Sequence, residues 1–165
     1  IKELSDRETA VKKVSIVPLE VIVRNVAAGS FSKRMGVPEG KELLCPILEF
    51  SYKNDDFHDP MINDDYAVAM KLATREEIDA IRSYTLKLND ILKDFFKQRG
   101  IDLIDFKVEY GKDADGNILL ADEISPDTCR FWDAETGKKL DKDRFRNDMG
   151  DIEEAYAEMM RRVNE

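Results

Sequence analysis

Four charged side chains stand close together in residues 105–127, DFKVEYGKDADGNILLADEISPD: Asp105, Lys107, Glu109 and Asp122. Their surroundings read as two strands joined by a turn. Strand alternation puts Asp105, Lys107 and Glu109 on one face and Phe106, Val108 and Tyr110 on the other. If Tyr110 faces Asn117 across the turn, one register among several, Asp122 comes opposite Asp105. Facing carboxylates repel unless a cation lies between them, and a hard, oxygen-seeking ion such as magnesium suits that place. An acidic solvent face with Lys107 as its internal counterion accounts for the same pattern, and spacing alone does not separate the two. The turn itself is not a calcium loop. Ile118 and Ile124 occupy the positions where Gly and Glu would be needed, which leaves Asp113 and Asp115 as turn formers.

A second set of residues suits anions. Arg24 ends an apolar run just before AAGS (27–30), where Gly29 and Ser30 can offer backbone and hydroxyl donors. A guanidinium beside such a turn is a good receptor for a phosphate monoester or a carboxylate, although many Gly-Ser turns near arginine are simply turns. Lys33 and Arg34 add positive charge locally. Arg130, in ISPDTCRFWD, lies just downstream of the hairpin and within reach of the pocket around Asp122. His58 is the only histidine, and no serine or cysteine nucleophile is arranged around it, so HDP (58–60) reads as a structural turn or a substrate contact. Phe131 and Trp132 are assigned to the core.

The elements that must position these groups follow from punctuation and periodicity. Two β-branched runs, 11–17 and 19–26, flank Pro18, which fits an edge or a bend. In the second run Val21, Val23 and Asn25 share one face, and Glu20, Ile22 and Arg24 the other. Gly29, Gly36, Pro38 and Gly40 mark 27–43 as a loop; CPILEFSYK (45–53) offers a further strand, and 54–66 is polar and turn-rich. A helix starts at Thr74, where Thr74 and Glu77 make a capping box. Ile78, Ile81, Leu88, Ile91, Leu92, Phe95 and Phe96 form its core face, and Gly100 stops it. A second helix covers 151–163, with Ile152, Ala155, Tyr156, Met159, Met160 and Val163 as its buried stripe. The implied fold class is α+β, a largely antiparallel sheet packed with a long helix and a C-terminal helix.

Composition bounds the partners. A chain of 165 residues with 42% hydrophobic content suits one compact domain. Its net charge of −9 repels nucleic acid and confines any phosphate site to a local patch. No apolar run is long enough to span a bilayer and no leader pattern precedes the domain, so a cytoplasmic chain with no membrane partner is expected. Cys45 and Cys129 stand far apart, outside any C-x-x-C pattern, and read as two buried thiols. Ile1 and the strand-like opening suggest a chain that begins inside a longer protein.

Taken in order, VPLEVIVRNVAAGSFSKRMG (17–36), YKNDDFHDPMIN (52–63), IDFKVEYG (104–111), LADEISPDTCRFWD (120–133) and LDKDRFRNDMG (140–150) resemble the SAICAR synthetase family, the phosphoribosylaminoimidazole-succinocarboxamide synthases of purine biosynthesis. The resemblance spans nearly the whole chain. It implies the larger C-terminal portion of an ATP-grasp-like fold. Family members also carry an N-terminal lobe with a glycine- and lysine-bearing hairpin that covers the nucleotide, and nothing in these residues corresponds to it. The implied reaction uses ATP and Mg2+ to activate the carboxylate of carboxyaminoimidazole ribotide (CAIR). The amino group of L-aspartate then captures it, giving SAICAR, ADP and phosphate.

By the same resemblance, Glu109 and Asp122 hold magnesium at the nucleotide phosphates, and Asp105 serves a neighbouring ion or its waters. Lys107 lies near the transferring phosphoryl group, which makes Lys107 and Asp105 the implied catalytic pair. Arg24, Ser30 and Arg130, with Gly29, bind the ribotide phosphate, while Glu20, Lys53 and Asp59 lie around the imidazole and aspartate. The expected partners are small molecules, and a homo-oligomer is allowed. Little turnover is expected from these residues alone, and a non-catalytic ribotide-binding fragment is the alternative. A metal-dependent phosphatase on the same carboxylates finds no support in the AAGS and ISPDTCR matches.

Overall fold

In the computed structural model, which describes residues 2–5, 7–141, 143–146 and 150–165, a hairpin of β1 (Lys2–Ser5) and β2 (Glu8–Ala10) leads into the long strand β3 (Ser15–Val26). Then come α1 (Gly29–Met35), β4 (Glu42–Tyr52), a 3-10 turn (Asp55–Phe57), β5 (Met61–Ile62), α2 (Asp64–Ala69) and the long helix α3 (Arg75–Lys97). The chain continues through β6 (Ile101–Lys112), β7 (Ile118–Leu120), β8 (Cys129–Asp133), α4 (Asp143–Arg146) and α5 (Ile152–Asn164). β1 and β2 pair with each other, and the remaining six strands form one sheet, ordered β5-β4-β3-β6-β7 with β8 also on β6. All of these pairings are antiparallel. β6 is the spine: β3 runs along one side of it, while β8 and β7 share the other side end to end.

Period-two alternation explains how that spine serves two purposes. Phe106, Val108 and Tyr110 of β6 are buried with Val17, Leu19, Val21 and Val23 of β3 in a core that includes Ile78, Ile81 and Phe96 of α3. Each such aliphatic or aromatic side chain contributes roughly 1.5–3 kcal/mol by leaving water. Two polar contacts fix the helix to the sheet within this apolar layer. The Thr85 hydroxyl donates to the Ile81 carbonyl at 2.7 Å and lies 2.9 Å from the Tyr110 hydroxyl. Asn25 and Asn89 exchange amide hydrogen bonds at 2.8 and 3.1 Å. Satisfied buried polar pairs of this kind select one register, because any slip would leave them unpaired. The capping box at Thr74 and Glu77 is formed, and Gly100 past the end of α3 takes a left-handed φ of 67°.

Several sequence expectations are corrected. The runs around Pro18 are one strand, and 11–14 lies outside it. Pairing with β6 jumps there from Ile16 to Glu20, so the missing proline N–H costs no ladder bond. The 27–43 stretch contains α1, and the turn-rich 54–66 stretch contains the start of α2, whose N-cap Asn63 accepts from the Tyr66 amide at 3.0 Å. Ile91 and Met160 are 56% and 65% exposed rather than buried, at the rim of an apolar groove between α3 and α5. Cys129 is buried but Cys45 is exposed. Phe131 is in the core, whereas Trp132 is only partly buried, with the Lys139 ammonium 5.5 Å from its ring centroid. Of the segment 140–150, Lys142 and residues 147–149 lie outside the described residues. No described helix is long and apolar enough to cross a membrane.

Candidate active site

The face of the sheet opposite α3 carries a row of charges across three strands. Asp105 on β6 is directly opposite Arg24 on β3 and directly opposite Arg130 on β8. Arg24 Nη1 donates to Asp105 Oδ2 at 3.3 Å, and Arg130 Nη1 donates to Oδ1 and Oδ2 at 3.1 and 2.9 Å. Each arginine is also held from its far side. Arg130 Nε donates to Asp143 Oδ2 at 2.7 Å, and Arg24 Nε donates to Glu49 Oε2 at 2.7 Å. Burial pushes the Asp105 carboxyl up, against the opposing pull of Arg130 and Arg24. Burial also works against the charge on Arg130, but Asp105 and Asp143 more than offset it, and its pKa rises.

The turn after β3 closes on this row. Arg24 Nη2 donates to Ser30 Oγ at 3.3 Å, so six residues of chain bring the hydroxyl onto the guanidinium. Gly29 has a φ of 54°, and a Cβ placed on it would stand 2.3 Å from Arg130 Nη2. Only a residue without a side chain lets that guanidinium lie against the backbone. Ala28 supplies no side-chain cap for α1, so the first N–H groups of the helix are not consumed by one.

Four residues further along β6 the character changes. Glu109 is directly opposite Glu20 of β3, an arrangement of like charges that requires cations. Two lysines supply them: Lys107 Nζ donates to Glu20 Oε1, and Lys53 Nζ donates to Glu109 Oε1 at 2.7 Å. The bond to Glu109 raises the Lys53 pKa against the effect of burial. Asp122 follows β7, where the neighbouring Ala121 amide donates to the Glu109 carbonyl at 2.9 Å. Its carboxyl is pushed up to about 6, first by burial and then by Glu123, with Glu109 adding to the effect. Asp59 Oδ1 accepts from the Asn54 amide at 2.8 Å and so closes the loop that carries Lys53 and His58.

The structure therefore brings Arg24, Gly29, Ser30, Arg130 and Asp105 together, and separately groups Glu20, Lys53, Lys107, Glu109 and Asp122. It does not place Asp122 opposite Asp105. Tyr110 pairs with Leu120 rather than Asn117, because Asp113 Oδ1 accepts from the Asp115 and Asn117 amides and closes a longer turn. Arg130 accordingly reaches Asp105 and Gly29 instead of Asp122. Asp105 is neutralised by two guanidiniums and does not join a three-carboxylate metal cluster, and no such cluster occurs among the described residues. Glu109 adds to the rise of the Asp122 carboxyl after burial and Glu123, and these two carboxyls are oxygen donors of the kind a hard divalent cation takes. Sequence reasoning missed Glu49 and Asp143. The first had one signal, an acid inside the otherwise apolar CPILEF; the second had none that points to Arg130.

Locked guanidiniums stand at one end of this face of an α+β sheet, and carboxylates with lysines at the other. The SAICAR synthetase family model matches residues 1–163, and the chain belongs to that family. It is 63% identical over 163 residues to the phosphoribosylaminoimidazole-succinocarboxamide synthase of Lachnoclostridium phytofermentans, covering 99% of this chain and 69% of that relative. Among solved structures, the enzyme of the same name from Ehrlichia chaffeensis superposes with a TM-score of 0.96 at 46% identity, over 99% of this chain and 70% of its own. A SAICAR synthetase in complex with ADP gives 0.89 at 56% identity, over 92% of this chain and 64% of its own.

Proposed function

We propose that these residues supply the ribotide-phosphate pocket and the metal-nucleotide face of an ATP-dependent carbon–nitrogen ligase. It joins L-aspartate to the carboxylate of CAIR and yields SAICAR, ADP and phosphate. The observation that carries this reading is the common face of β6. Asp105 with its two arginines and Glu109 with Asp122 lie at opposite ends, four residues or about 13 Å apart, with Lys107 between them. A ribotide laid along that face has its phosphate at the guanidiniums and its imidazole carboxylate near the lysine. The family is one of ATP-dependent ligases, and the relative in complex with ADP supports nucleotide use.

In the first step a carboxylate oxygen of CAIR attacks the γ-phosphorus; the bond to the β-phosphate oxygen breaks and ADP leaves. The aspartate amine then attacks the acyl carbon, phosphate departs, and the ammonium nitrogen loses a proton to leave the amide. The first step brings anion to anion, and the second releases an anionic phosphate, so oriented cations do most of the work. Lys107 neutralises charge on the transferring phosphoryl group, Lys53 and Glu20 border the imidazole and aspartate with Asp59, and Arg24, Ser30, Gly29 and Arg130 hold the ribotide phosphate. A magnesium ion held by Glu109 and Asp122 would supply charge neutralisation at the nucleotide phosphates. Asp105 acts by fixing the two arginines. A cytoplasmic setting and an ATP-grasp-like fold are part of this reading.

Because the chain spans 69% of its relative's length, we propose that these 165 residues alone bind ribotide more tightly than nucleotide and turn over slowly. Calorimetric titration with CAIR and, separately, with Mg-ATP tests this. In the full-length gene product Asp122→Asn should raise the KM for Mg-ATP roughly tenfold while leaving ribotide binding in place. Unchanged ATP kinetics in that variant, together with no measurable binding of CAIR by the wild type, would overturn the reading.

A further inference from the structure

Six ionised side chains form an unbroken line through the phosphate pocket: Arg34, Glu49, Arg24, Asp105, Arg130 and Asp143, with successive contacts of 2.6, 2.7, 3.3, 2.9 and 2.7 Å. These six groups carry three positive and three negative charges, and beyond Asp143 the Lys139 ammonium at 3.9 Å is paired in turn with Glu39. Two opposite expectations follow for the carboxylates of the line. If phosphate affinity came from the local field, each carboxylate would weaken it and removing one would strengthen binding. If affinity comes from donors already aimed at the phosphate, removing a carboxylate that aims them weakens binding even as the pocket becomes more positive.

Glu49 is where these expectations separate most cleanly. It stands opposite Ile22 on β4, so its side chain shares the face of Arg24 as a diagonal neighbour. One oxygen takes Arg24 Nε at 2.7 Å and the other takes Arg34 Nη2 at 2.6 Å. Along this path side-chain exposure climbs from 4% at Arg24 to 10% at Glu49 and 38% at Arg34. Arg34 lies near the end of α1, whose beginning carries Gly29 and Ser30. Phe31 of the same helix places its ring 5.7 Å from the Arg24 guanidinium. A single carboxylate thus ties strand and helix together on either side of the phosphate donors. It holds the guanidinium through Nε, while the terminal nitrogens point at Asp105 and Ser30.

We propose that Glu49 is a positioning residue for ribotide recognition, acting by orienting Arg24 and docking α1, so that phosphate affinity here is set by donor geometry and not by net charge. The inference rests on the reading of Arg24 and Arg130 as ribotide-phosphate ligands. Its test is steady-state kinetics of the full-length gene product carrying Glu49→Gln, which keeps the shape and removes the charge. The KM for CAIR should rise roughly tenfold, the KM values for Mg-ATP and L-aspartate should stay within twofold, and kcat should fall by less than threefold. Glu49→Asp, which restores the charge on a shorter arm, should give an intermediate KM for CAIR. Arg34→Ala cuts the outer arm at an exposed position and should raise that KM about threefold, which keeps the test open if Glu49→Gln folds poorly. An unchanged or lower KM for CAIR in Glu49→Gln overturns the proposal, and so does a parallel rise of all three KM values with a lower melting temperature. If Arg24→Ala and Arg130→Ala leave the KM for CAIR untouched, the functional reading itself is what fails.

Discussion

The two ends of the charged face solve the same electrostatic problem in different ways. At the guanidinium end Arg24, Asp105 and Arg130 are nearly sealed, with side-chain exposures of 4%, 5% and 12%, and every partner is another fixed side chain. At the carboxylate end Lys107 and Lys53 are 39% and 44% exposed, each a flexible stem ending on one glutamate. Buried, multiply bonded ions acquire their orientation when the chain folds, and ligand binding then has little ordering left to do. Exposed lysine–glutamate pairs are screened and individually weak, which lets them exchange partners when a polyphosphate or a cation arrives. On the proposed function, one end is rigid before substrate and the other is completed by it.

That contrast breaks or holds on the cost of removing a cation from each end. Arg130→Ala strips Asp105 and Asp143 of their shared partner inside the protein, and the expected loss of stability is about 3–5 kcal/mol by chemical denaturation. Ribotide affinity should drop in the same variant by two orders of magnitude or more. An intermediate effect sharpens the picture through Asp141, fully buried beneath the guanidinium end, where its oxygens accept from the Phe131 and Asp143 amides at 2.8 and 2.9 Å. Burial raises its carboxyl from the ordinary 3.8 to about 6. A raised carboxyl favours the folded state when protonated, so its contribution is complete below pH 3.8 and disappears as pH climbs through about 6. Unfolding free energy measured from pH 4 to 7 should fall by an extra amount on the order of 2 kcal/mol in the wild type relative to Asp141→Asn. The smallest effect belongs to Lys53→Met, which should change stability by less than about 1 kcal/mol because the pair with Glu109 is open to water. Equal losses for Lys53→Met and Arg130→Ala would abolish the distinction between the ends.

What could be read beforehand divides along physical lines. The two faces of β6 and the boundaries of α3 were legible because period-two alternation and a capping box are local codes. Arg24, Gly29 and Ser30 were likewise joined by proximity along the chain. Pairing between β6 and β8 was not legible, since nothing near Arg130 announces Asp105 as its opposite number, and one extra residue at Ile104 shifts the ladder between them. The β7 register differs because the turn runs from 113 to 117, held by the Asp113 side-chain oxygen, which moves the partner of Tyr110 from Asn117 to Leu120. α1 was hidden because Ala28 gives no cap and a glycine opens the helix. Ile91 and Met160 kept the helical period but fell outside the width of the covered face.

From Asp105 to Tyr110, strand β6 gives every second residue to the hydrocarbon interior and the others to the charged face. Losing or gaining a single codon between positions 105 and 110 would put the residues on its two sides out of phase, so that charged side chains enter the core or aromatic ones leave it. Natural length variation in this part of the polypeptide is therefore expected to collect in the turn at 113–117, where an indel leaves both faces in phase.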